Sequence, residues 1–126
     1  MLPLCIRVTR RRWFWIAQEI AALEQHGRTH ASAFGTIGSY NTSGYAVGVF
    51  VSGDVAYVAD WDSGLQCISI ANPAAPSLLG TYDTPWNANG VFVSGDVAYV
   101  VDSYYGLQCI SVANPAAPSL LGSYYT

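Results

Sequence analysis

The amino-acid sequence predicts an all-β chain of tandem four-stranded antiparallel sheets, and three observations predict it. The eleven residues GVFVSGDVAYV at 48–58 return unchanged at 90–100, 42 residues further on, a period typical of units built from a small sheet. The chain is 52% apolar and only 10% charged, which excludes disorder, and its Val- and Tyr-rich runs favour strands. Gly, Pro, Asn and Asp interrupt these runs at short intervals, as hairpin turns require.

The first 34 residues do not resemble the rest of the chain and are expected to form a separate leader. Trp13, Ile16, Ala17, Ile20 and Ala21 fall at helical spacing, with Thr9 a candidate cap and Gly27 a candidate stop, so the pattern predicts a short helix over about 10–25. Arg10, Arg11 and Arg12 would then sit in its first turn, where the helix dipole disfavours cations. An export signal competes with the helix: a basic run at 10–12, an apolar stretch from Trp13 to Leu23, and Ala31-Ser32-Ala33 as a cleavage site. Gln18, Glu19 and Glu24 weaken that reading, and the apolar stretch is too short to span a bilayer, so no transmembrane segment is expected. A disordered or non-native leader is the remaining alternative.

From residue 35 the chain reads as repeats: the tail of one unit at 35–43, then two complete units at about 44–85 and 86–126. Ile37-Gly38-Ser39-Tyr40 matches Leu79-Gly80-Thr81-Tyr82, which places the tail. In the first complete unit, strand A covers about 46–51, B 55–59, C 65–70 and D 78–82. Ser52-Gly53-Asp54 supplies the glycine a tight A–B hairpin needs. Residues 60–64 close B–C, and Asn72-Pro73 with Ala75-Pro76 hold the C–D link extended or turned, where no ladder donor is required. Val55, Tyr57 and Ala59 point one way and Ala56 and Val58 the other, so the strand is apolar on both faces and must be covered on both. Four strands in about 42 residues, stacked between copies of themselves, describe a β-propeller blade.

GDVAYVADWDSGLQCISIANPAAPSLLGTYDT and its copy GDVAYVVDSYYGLQCISVANPAAPSLLGSY resemble the LVIVD repeat family over residues 35–126. Cys67-Ile68-Ser69 and Cys109-Ile110-Ser111 depart from the Val-Ile-Asp favoured there in strand C. The resemblance implies a propeller-forming repeat of bacterial and archaeal surface or secreted proteins, hence an extracellular or cell-surface location, and it carries no catalytic residues.

Antiparallel strands send the A–B and C–D loops to one end of each sheet and the B–C and D–A loops to the other. The first end is the same in both units, while the second changes from Trp61-Asp62-Ser63 to Ser103-Tyr104-Tyr105, and from Asn41-Thr42-Ser43-Gly44-Tyr45 to Asp83-Thr84-Pro85-Trp86-Asn87. Tyr45, Trp61, Asp62, Trp86, Tyr104 and Tyr105 are therefore the candidate ligand-binding residues, set against neutral drift of exposed loops. Asp60 and Asp62 have the spacing of a short calcium loop without its distal acid, and the copy at Asp102 loses the middle acid, so a carboxylate accepting turn N–H bonds is the favoured reading of Asp60 and Asp102 and no metal is assigned.

Other chemistry finds little footing. All five basic residues precede residue 29, so the repeats have no cation to place on a phosphate backbone and nucleic acid is excluded as a partner. Three cysteines, two of them repeat mates at 67 and 109, read as buried free thiols. His26 and His30 lie outside the repeats, no catalytic set can be assembled from matched positions, and no cofactor is expected. The function expected is a non-catalytic interaction or scaffold module, with a glycan-binding propeller lectin or a piece of a larger propeller enzyme as alternatives. Two blades cannot close a propeller. Further repeats, further copies of the chain, or packing of the two sheets as a sandwich must cover the remaining faces.

Overall fold

The computed structural model describes residues 34–126 and, ahead of them, the backbone of two short strands, β1 (Cys5–Arg7) and β2 (Trp13–Trp15). Contacts divide the chain into two units, Met1–Asn41 and Thr42–Thr126.

In the first unit β1 and β2 pair antiparallel, Cys5 opposite Trp15 and Arg7 opposite Trp13. Trp13 to Trp15 were expected within a helix. Trp-Phe-Trp and Ile6 are the aromatic and branched side chains that favour strands. The rest of the expected helix, the export-signal features and both histidines lie outside the described residues. Residues 35–43, expected to be the tail of a further repeat, carry no strand. Their counterpart at 79–82 is ordered by pairing with strand C of its own unit, and the described residues hold no such neighbour for 37–40.

The second unit contains eight strands: β3 (Gly48–Ser52), β4 (Val55–Ala59), β5 (Leu65–Ser69) and β6 (Ser77–Tyr82), then β7 (Ala88–Ser94), β8 (Val97–Asp102), β9 (Gly106–Ser111) and β10 (Ser119–Tyr124). They form two four-stranded antiparallel sheets in which each strand pairs with the next in sequence. Turn chemistry sets the register. Gly53 and Gly95 both take φ of 60°, closing the A–B hairpins in the left-handed conformation that a side chain disfavours. Leu79 and Leu121 are passed over in the C–D ladders at equivalent points, so both outer strands carry the same bulge.

The sheets stack face to face. Tyr57, Ala59, Leu65 and Cys67 of the first pack with Ala88, Val93, Ala98, Val100, Ile110 and Val112 of the second in one buried cluster. Phe50 packs against this cluster, and its ring also meets that of exposed Phe92 with centroids 4.6 Å apart. Ladder partners share a face, so Phe50, Tyr57 and Cys67 line the contact from one side, and Val93, Ala98 and Ile110 from the other. Opposite faces of two equivalent sheets thus meet, as successive propeller blades do. Ala56, Val58 and Ile68 are also buried, on the other face of the first sheet. The expectation of two covered faces therefore holds for β4 and not for β8, where Ala98 and Val100 are buried but Tyr99 and Val101 stand 37% and 51% exposed. Cys67 and Cys109 are free thiols, the first fully buried and the second partly. Loss of hydration pushes the Cys67 thiol up to about 12 and, as the main cause, raises the Tyr57 phenol as well.

Candidate functional site

The two ends of the sheets are built differently. At the A–B and C–D end both units repeat one hydrogen-bond pattern. Asn72 accepts from the Ala74 N–H at 3.1 Å on its side chain and from Ala75 at 2.8 Å on its carbonyl, and Asn114 does the same with Ala116 and Ala117 at 3.1 and 2.8 Å. Ile70 and Val112 N–H groups donate to the Asp54 and Asp96 carbonyls, each at 2.8 Å. These are Asx turns tied back to a hairpin, and they leave side chains little freedom.

At the B–C and D–A end a shared frame holds different side chains. Asp60 and Asp102, at the ends of β4 and β8, are fully buried. The Asp60 carboxylate accepts the Gly44 N–H at 2.8 Å and the Thr42 hydroxyl at 2.7 Å. The Asp102 carboxylate accepts the N–H of Trp86, the repeat mate of Gly44, at 2.8 Å, and those of Tyr104 and Tyr105 at 3.2 and 3.1 Å. Each acid therefore ties the incoming D–A segment to the sheet, a link between loops distant in sequence. Asp102 also meets the expectation that it accepts N–H bonds within its own turn; Asp60 does not. The first turn is closed by backbone instead, Asp60 N–H to Gly64 carbonyl at 2.8 Å and Ser63 N–H to Asp60 carbonyl at 2.9 Å. Buried Gln66 and Gln108 complete the frame, donating to the carbonyls of Ser63 and Tyr105 at 2.9 and 3.3 Å.

The aromatic residues stand on this frame. Tyr45 and Trp61 meet edge to face at 5.8 Å between centroids. Trp86 touches Tyr104 at 5.9 Å, Tyr104 touches Tyr105 at 5.3 Å, and Tyr105 touches Tyr125 at 6.0 Å, so four rings run in series. All six are exposed. Trp61 bridges the two groups through the backbone: its N–H donates to the Ala88 carbonyl at 3.1 Å and its carbonyl accepts from Ala88 at 2.9 Å. Its φ of 51° makes it the one non-glycine residue in the left-handed region among the described residues. That conformation costs about 1–2 kcal/mol for a bulky side chain, and the paired bonds to Ala88 hold it.

Tyr45, Trp61, Trp86, Tyr104 and Tyr105 are thus gathered at one end. Tyr125 joins them and was not anticipated. Its signal was the 42-residue period itself, which makes it the mate of Asp83 and the first residue of the next D–A segment. Asp62 is exposed at the rim beside Gly44; a Cβ at Gly44 would stand 2.9 Å from the Asp62 Oδ1 and collide with the Asp60 carbonyl. Asp60 and Asp62 have no third partner of metal-ligating type: among the described residues no group of three His, Cys, Asp or Glu side chains could hold a metal ion. No helix among them is long and apolar enough to cross a membrane.

Stacked four-stranded sheets with an invariant end and an aromatic, variable end define a repeat protein of the blade-forming class. The model of the LVIVD repeat matches residues 43–84 and 86–126. The chain belongs to the LVIVD repeat family. It has no match among curated proteins or solved structures.

Proposed function

We propose that this chain is a non-catalytic interaction module of the cell surface that binds a protein partner through its aromatic end. The series Trp86, Tyr104, Tyr105 and Tyr125 carries this reading. Exposed Trp and Tyr rings give large contact area at little entropic cost, and buried acids and amides fix the loops that bear them. The extracellular location rests on the family. The array of blades is completed by further repeats or further copies of the chain.

Exposed rings also suit sugars, which makes a lectin the second reading. An extracellular-protein array and a glycan array, probed with the parent chain and with Trp86→Ala/Tyr104→Ala, separate the two. Binding on the protein array that the double variant loses supports the proposal; glycan signals alone transfer it to the lectin reading. Binding that survives the double variant overturns both.

A further inference from the structure

The two sheets are near copies, so each position has a mate whose surroundings can be compared. Tyr57 is 5% exposed and Tyr99 37%; Ala59 is 0% and Val101 51%. Cys67 is buried and Cys109 only partly. In each pair the first member faces the second sheet and its mate faces outward. Two glycines give the same contrast by a different route. A Cβ at Gly80 would come within 2.6 Å of the Pro115 carbonyl oxygen and 2.7 Å of Ala116, because the C–D loop of the second sheet lies against β6; at its mate Gly122 it would meet nothing within 4 Å. Gly48 likewise abuts Asn89 and Gly90, whereas Gly90 has open space. The outward face of the second sheet therefore repeats the residues of the first sheet's buried contact with no second sheet against it among the described residues.

We propose that this face is an acceptor for the first sheet of a second copy of the chain, docking head to tail. The geometry is set by the internal contact. Val93, Ala98, Val100, Ile110 and Val112 fill that contact from the second sheet, and the first sheet carries Val51, Ala56, Val58, Ile68 and Ile70 at the mated positions. The Phe50 ring of the incoming copy would meet Phe92 as Phe50 already does within the chain, and its Pro73 and Ala74 would fill the space over Gly122. Val51 is 54% exposed where its mate Val93 is 4%, so the β3 part of the donor face is open. Ala56, Val58 and Ile68 are already buried, so docking must uncover them and is slow compared with diffusion. The contact is heterologous, and two to four copies would close a ring of four to eight blades.

This inference rests on the reading of an incomplete array, and the test separates the two. Light scattering of the full chain up to about 100 μM is expected to show a discrete oligomer. Val101→Arg on the acceptor face and Val51→Arg on the donor face change exposed side chains, and each is expected to weaken assembly at least about 100-fold while near-UV circular dichroism stays that of the parent. Mixed in equal amounts, the two variants should restore a one-to-one pair, since each retains the face the other lacks. An oligomer that ignores Val51→Arg is back to back and overturns the proposal. A monomeric parent overturns it too. If that monomer melts higher once a copy of residues 43–84 is appended after Thr126, the face takes a repeat in cis and the incomplete-array reading survives; if it does not, both fail.

Discussion

The invariant end and the variable end of the two sheets solve the same problem, four loop crossings per repeat pair, by different means. At the invariant end the loop sequence is the structure: Asn72 and Asn114 bend their own loops through local bonds of equal length, and the prolines exclude alternatives. At the variable end the loops are held from beneath. Asp60, Asp102, Gln66 and Gln108 are buried and common to both units, and they bind main-chain atoms, so the side chains above them are free to differ. Binding surfaces that must diversify need such a frame, because contacts made to backbone survive substitution of the residue that carries them.

Removing the frame should therefore cost far more than removing the same residue type at the other end. Asp102→Ala leaves three N–H groups without their carboxylate, and charge-assisted bonds of this kind contribute about 1.5–3 kcal/mol each before relaxation and solvent entry. A loss of about 3–5 kcal/mol in urea unfolding is expected. At Asp54 the carbonyl, and not the side chain, accepts the Ile70 N–H, so Asp54→Ala should stay within about 0.5 kcal/mol of the parent. Equal losses at the two sites would show that the ends are not held differently.

Most of the fold was legible because it rests on local chemistry. Gly53 and Gly95 announce hairpins, alternation along 55–59 assigns faces, and the 42-residue period aligns the strands. The candidate site was legible in part. Comparing the two units located five of its six rings, and the period would have given Tyr125. The left-handed Trp61 was not readable, since its conformation is imposed by Ala88, 27 positions away. Nor was the exposure of Tyr99 and Val101: identical or similar residues occupy both sheets, and only the presence of a neighbouring sheet decides which are covered. In the leader, helical spacing misled at Trp13 to Trp15 because aromatic residues satisfy an amphipathic pattern while favouring extended backbone.

A smaller effect is expected within the invariant end. Asn72→Ala removes the side-chain bond to Ala74 and leaves the carbonyl bond to Ala75. It should cost about 1 kcal/mol by chemical denaturation, and Asn114→Ala should match it, since the two turns are the same. At the variable end mated substitutions should not match: Asp60 and Asp102 carry different partners, two in one case and three in the other.

A small net effect on stability, with the sharpest separation of stability from binding, is expected at Trp61. Trp61→Gly relieves a left-handed conformation worth about 1–2 kcal/mol and forfeits a ring contact with Tyr45 worth about 0.5–1.5 kcal/mol. The terms oppose, so the variant should unfold within about 1 kcal/mol of the parent. The bridge to Ala88 uses only backbone atoms and is retained. If strain at Trp61 is kept for recognition, partner binding falls although the fold does not weaken. Unchanged binding would restrict the recognition surface to the series from Trp86 to Tyr125 and leave the strain at Trp61 as a cost of meeting the second sheet.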